Sequence, residues 1–270
     1  MKMHFLLLTL CTLGAVSAFS QAKERERPNR FMISAGVFKP EINTELRIDD
    51  VVNRISTQVN AEDDLGLNRE VDAYKLDAMF RMSRRISLTG SWYKLDRSSD
   101  VELSRDIEFM DTVHTLGTQV TSKLNTTFTS VSLRYSILYR KNVEAGLSLG
   151  ARWVSADVAA VASSDGIKVE HAFSGGAPAP LPGLFVSAHI LPSLQLSYNF
   201  EYFTLAVKEI SGQLQEHRVS LAFYPVRNVG AGVSWADTRY SVNNIPFQDG
   251  LQANFNTQLT GFTFFVAARF

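Results

Sequence analysis

Ionisable side chains recur in this sequence at every second position inside otherwise apolar runs. Lys75, Asp77 and Arg81 alternate with Tyr74, Leu76, Ala78 and Phe80. Arg134 falls between Leu133 and Tyr135, and Glu144 and Arg152 stand in a run with Val143, Ala145, Leu147, Leu149, Ala151 and Trp153 on the other parity. Glu201 follows Tyr198 and Phe200, Glu216 and Arg218 precede Val219, and Arg269 precedes the terminal Phe270. Successive side chains of an extended strand point to opposite faces. These charges therefore share one face, turned away from the apolar one, and His189 falls on the same face as a further titratable group. Opposite charges facing one confined space should pair, since an unpaired buried charge is costly. The expectation is a structural network that plugs an interior. A narrow charged pore is the second reading, because Gly230, Gly232 and Ser234 leave room on that face.

Other chemistry finds little support. A barrel hydrolase needs a nucleophile or activated water beside His and an acid. Outside the N-terminal leader the histidines are His114, His171, His189 and His217. His114 lies near Asp111, and His171 near Glu170 and Asp165, with Ser163, Ser164 and Ser174 close in sequence. None of these spacings matches a catalytic arrangement, so no catalytic residue is assigned. Glu62-Asp63-Asp64 could attract a divalent cation, but Ca²⁺-loop spacing is absent and a solvated face is the expectation. With no phosphate loop, zinc motif or nucleotide fingerprint, no metal or cofactor is expected.

The elements that must position these charges are strands. Period two dominates throughout. Ten alternating runs can be counted, beginning near residues 31, 74, 86, 130, 143, 184, 194, 218, 229 and 262. Short connections fall at 83–85, 139–142, 191–193 and 225–228, and longer ones at 39–72, 96–124, 162–182, 208–213 and 241–255. The stretch 175–183, rich in Pro and Ala, reads as loop. Alternation of short turns and long loops is the asymmetry of an outer-membrane barrel. Trp92, Trp153, Tyr202 and Trp235 end the runs on the long-loop side, and Phe80, Tyr135, Phe223 and Phe270 end them on the turn side. Two such belts suit amphipathic rings at the two interfaces of a bilayer. In hydrocarbon every backbone polar group needs an internal partner, so the sheet must close.

The chain has 270 residues, 45% hydrophobic and 20% charged. Residues 1–22 read as a signal peptide: Lys2 is the positive region, 5–13 the apolar one, and Ala22 the cleavage position, with Ala18 second. Residues 23–30 then form a periplasmic N-terminal segment and 31–270 the barrel. Cleavage takes only Lys2 from the 27 basic residues, so 26 face 27 acidic ones and no nucleic-acid face is implied. The single cysteine, Cys11, lies in the leader, which excludes a disulfide framework in the exported chain.

The last run, G-F-T-F-F-V-A-A-R-F over 261–270, resembles the C-terminal signature of Gram-negative outer-membrane β-barrels, with Phe262, Phe264 and Phe270 as the matching positions. The resemblance implies an all-β, transmembrane, antiparallel up-and-down β-barrel of about ten strands, located in the cell outer membrane. It further implies a monomer in contact with outer-membrane lipid and lipopolysaccharide, and transient reading of the last strand by the barrel-assembly machinery. A looser resemblance, to a group of outer-membrane proteins without an assigned activity, rests on Asp63-Asp64-Leu65-Gly66-Leu67, Leu95-Asp96-Arg97-Ser98 and Arg105-Asp106-Ile107-Glu108-Phe109. Three functions are then ordered: a structural or surface-interaction barrel, a narrow channel for small solutes or hydrophobic molecules, and last a barrel enzyme.

Overall fold

The computed structural model describes residues 29–50, 55–102, 107–109, 112–114, 119–164, 167–207, 210–248 and 251–270. The leader and all but the end of segment 23–30 lie outside the described residues. The strands are β1 (Phe31–Asp50), β2 (Ile55–Asn60), β3 (Ala73–Arg81), β4 (Ile86–Glu102), β5 (Ile107–Phe109), β6 (Thr112–His114), β7 (Gln119–Tyr139), β8 (Val143–Ser164), β9 (Ile167–Leu191), β10 (Leu194–Val207), β11 (Ile210–Phe223), β12 (Val229–Gln248) and β13 (Leu251–Arg269). Ten of them, β1, β3, β4 and β7 through β13, pair in sequence, and β13 pairs back onto β1 to close an antiparallel barrel. β2 adds to the β1 edge beyond β3, and β5 and β6 form a separate hairpin.

Closure is continuous from end to end. β1 and β13 pair from Met32↔Arg269 to Asp50↔Leu251. At the chain terminus Arg30 N donates to the Phe270 carbonyl (2.5 Å) and Phe270 N to the Phe31 carbonyl (2.8 Å). Short turns at this end are tied by Met82 N to Ile86 O (3.0 Å) and Arg140 N to Val143 O (2.8 Å).

Alternation decides which side chains face where. Outward positions carry an apolar band in which Leu149 is 66% and Val266 63% exposed. Its height can be read from β8, where apolar residues occupy the outward parity from Val143 to Trp153. Ten steps of about 3.3 Å give about 33 Å along the strand, or about 25 Å when tilted by roughly 40°. The inward parity holds the buried residues.

The long connections expected from sequence are mostly strand. β4 runs on to Glu102, β7 starts at Gln119, β8 and β9 reach Ser164 and Ile167, and β12 and β13 reach Gln248 and Leu251. Beyond the apolar band the outward positions turn polar: Lys39, Glu41 and Asn43 on β1, Asp237 and Arg239 on β12, Thr260, Gln258 and Asn256 on β13. The inward positions there stay apolar (Phe38, Ile42, Tyr93, Leu95, Phe128 and Leu259), so the alternation reverses its phase while the ladder continues. The 175–183 stretch, expected as loop, belongs to β9 and pairs with β8.

Candidate functional site: the barrel lumen

The lumen is filled in layers, each assembled from several strands of the wall. Nearest the turns, Arg81 of β3 reaches across to Glu144 of β8 through two bonds, Nη1 to Oε1 at 2.9 Å and Nη2 to Oε2 at 2.8 Å. Ser136 Oγ donates to the same carboxylate at 2.5 Å. Both side chains are at most 6% exposed. Parallel double bonds of this kind are the strong form of an ion pair, with charge assistance and fixed geometry together.

A second cluster centres on Arg152 of β8. Its guanidinium donates to Glu216 of β11 (2.6 Å), Glu201 of β10 (2.8 Å) and the Tyr240 hydroxyl of β12 (2.8 Å). Arg218 donates to the other Glu216 oxygen at 2.5 Å and lies 3.7 Å from Asp77 on β3. Arg134 donates to the Asn199 amide oxygen (2.8 Å) and stacks over Phe185 at 5.0 Å. Between the two clusters lies a cavity of about 210 Å³, with Met32, Phe185, His189 and Tyr224 also in its wall.

Next along the axis comes a line of rings from four strands. Phe38 meets Tyr93 edge-on at 5.5 Å, Tyr93 stacks on Phe128 at 4.6 Å, and Phe128 reaches Tyr240 at 5.6 Å. Ile42, Leu95 and Leu259 complete this apolar layer. The Lys75 ammonium sits over both Phe38 (5.4 Å) and Tyr93 (5.2 Å). Ring faces carry negative quadrupole density, so they partly replace the water a buried ammonium loses. Tyr240 belongs to both layers, joining the charges to the rings.

At the end away from the turns the chain closes the lumen with its own segment. Residues 61–69 bulge from the line of β2 and β3 and lie against the inward positions of β4. Glu62 accepts from Thr44 N (2.7 Å) and from Arg97, whose Nη2 also donates to Thr44 Oγ1 (3.1 Å). Both ion-pair side chains are buried. Gly66 holds the bulge at φ +64°, and a Cβ there would lie 2.3 Å from Val101 Cγ1. The solvated face expected for Glu62-Asp63-Asp64 is therefore wrong at Glu62. Asp63 stays exposed and accepts from Arg69 at 2.5 Å, which holds that guanidinium above its ordinary pKa. Asp64 caps Asn60 N at 2.8 Å.

Of the residues singled out from sequence, Arg81, Glu144, Arg152, Glu201, Glu216, Arg218 and Asp77 come together in these two clusters. Lys75 joins the ring layer instead. Arg269 lies at the turn rim, 3.6 Å over the Tyr224 ring, with Nε donating to the Arg227 carbonyl (2.8 Å). Phe262, Phe264 and Phe270 are 51%, 56% and 63% exposed at the outer surface. Sequence reading gave no lumen role to Arg97, Glu62, Asn199 or Tyr240. Arg97 was within reach, since it continues the inward parity of Ser87, Ser91, Tyr93 and Leu95. The side chains of His114 and His171 lie outside the described residues. His217 faces outward and shares hydrogen bonds with Tyr198 (2.9 Å) and Gln215 (2.8 Å). Among the described residues no group of three or more His, Cys, Asp or Glu is placed to hold a metal ion.

The closed antiparallel barrel of ten strands is structurally similar to outer-membrane barrel proteins. The outer membrane protease OmpT from Escherichia coli superimposes with a TM-score of 0.54 at 12% identity, covering 88% of this chain and 97% of that one. The translocator domain of the autotransporter NalP from Neisseria meningitidis gives 0.49 at 9% identity, over 98% and 96%. No family model and no curated protein matches the sequence. At such identity the likeness extends to the fold alone.

Proposed function

We propose that the chain is an integral outer-membrane barrel, exported by the 1–22 leader, with a structural or surface-interaction role and a lumen closed by its own side chains. One observation carries this reading. The outside presents an apolar band about as tall as a bilayer core, while the inside is crossed by two buried ion clusters and a ring layer. Lipid contacts the band, and lipopolysaccharide meets the polar wall above it. There a cleft of about 410 Å³ is lined by Glu45, Arg47, Asp49, Gln58 and the asparagines 243, 244, 254 and 256. The barrel-assembly machinery reads the outward Phe262, Phe264 and Phe270, and the barrel works as a monomer. A narrow channel is the second reading, favoured by the cavity between the ion clusters. The mature protein should fractionate with outer membranes and run faster on gels unheated than boiled. Recovery as a soluble periplasmic species would contradict the membrane reading.

A further inference from the structure

Between β9 and β10 the barrel wall is unzipped. Their pairing runs from Leu191/Leu194 to Gly183↔Glu201 and stops. Each strand continues on its other side: β9 pairs with β8 back to Ile167, and β10 with β11 on to Val207. Two strand edges thus face each other without a ladder.

The cause is in the sequence. His189 N donates to Asn142 on the β8 side. The register with β10 shifts at Ile190, between Leu194↔Leu191 and Gln195↔His189. Backbone groups alternate in direction along a strand, so even-numbered residues of β9 before that shift point theirs at β10. Continuing the register from Leu184↔Phe200 would set Pro182 opposite Tyr202, Pro180 opposite Thr204 and Pro178 opposite Ala206. Proline has no N–H to give. Every donor that β9 would offer β10 beyond Gly183, up to the end of β10 at Val207, is deleted, while the β8 side, served by odd-numbered residues, is untouched. Proline within sheets is confined to such edges.

The position of the gap bears on its use. Trp153, opposite Pro178 on β8, and Tyr202, first residue of the open β10 edge, both face outward at the upper limit of the apolar band. Inward flanks are apolar: Leu181, Phe203, Leu205 and Leu214. Leu205 is on the lumen parity of β10 yet 49% exposed. Below the gap, Arg152, Glu201 and Glu216 close the lumen.

We infer that this seam is a lateral portal, through which a single-chain amphiphile passes between the outer leaflet and the mouth of the lumen above the charge layer. The inference rests on the membrane reading. The apolar chain lies along Phe203 and Leu205, over a packed floor of Leu181 and Leu214, and the charge layer prevents onward passage to the turn end.

Two measurements test it. In detergent micelles, the amides of Tyr202, Thr204 and Ala206 should exchange freely in the native protein. In the variant P178T/P180T/P182T, which restores the donors, they should slow by about tenfold or more. In phosphatidylcholine vesicles, a fluorophore on Leu205→Cys should be quenched by a lysophospholipid with a nitroxide on its acyl chain, and the triple substitution should abolish that quenching. Slow exchange of the three amides in the native protein would overturn the proposal, as would quenching that persists once they are protected. Should the triple variant fail to assemble, P182T alone adds one N–H that donates to the Tyr202 carbonyl, and re-forming that pair must let the Tyr202 amide donate to the residue-182 carbonyl and become protected. Failure to enter vesicles would count against the membrane reading, and exchange in micelles would still decide the seam.

Discussion

Among the described residues the barrel wall parts in two places, and the chain treats them differently. β3 pairs with β4 only as far as Lys75↔Tyr93, although β4 continues to Glu102. There the bulge 61–69 lies over the inward side of the free β4 stretch, locked by Glu62 between Arg97 and Thr44, with Gly66 against Val101 and Ser99. The β9–β10 gap has no such cover among the described residues and is flanked by three prolines. The first parting is sealed at the expense of burying a charge pair. The second keeps its edges apart by withholding donors. A free strand edge is a liability that must be covered, charged or made unable to pair, and this molecule uses the first and last of these remedies on one wall.

The contrast can be broken most severely at the seal. Glu62→Ala leaves Arg97 buried without its carboxylate, and removing one partner of a buried pair costs about 3–5 kcal/mol. The urea midpoint of the folded gel band should fall accordingly, and a midpoint equal to wild type would show that the bulge does not close the wall. Gly66→Ala forces a left-handed residue with a side chain against Val101. Such strain costs on the order of 1–3 kcal/mol, so the midpoint should fall by a smaller amount. At the seam the sign reverses. Pro182→Thr adds a strand hydrogen bond, worth about 0.5–1.5 kcal/mol net, and should leave stability unchanged or slightly raised. A loss like that of Glu62→Ala would mean that the prolines carry packing rather than withhold a donor.

The fold class was legible because alternation survives in every strand where one face is apolar. Strand ends were not, because beyond Val37, Trp92 and Trp235 the alternation reverses phase: the outward face turns polar while Phe38, Ile42, Tyr93 and Leu95 make the lumen face apolar. Pro178, Pro180 and Pro182 read as loop because proline breaks a central strand. Spacing them two apart confines the damage to one edge, which becomes visible only with the register. In the lumen, parity placed Arg152, Glu201 and Glu216 on one face. Which of them meet depends on strand stagger and on reach across the interior, and neither is written in local sequence. Glu62 read only as part of a solvated acidic cluster, because its burial follows from the bulge that carries it inward.

The most direct test of a self-plugged barrel is electrical. Purified protein, shown to be folded by its heat-modifiable mobility, is added to planar lipid bilayers at neutral pH. With the Arg81–Glu144 pair, the Arg152 cluster and the ring layer in place, the protein should insert without stable unit conductance. Reproducible single-channel steps, altered by substituting Arg134 or Glu201, would contradict the plug and establish the lumen as a charged pore.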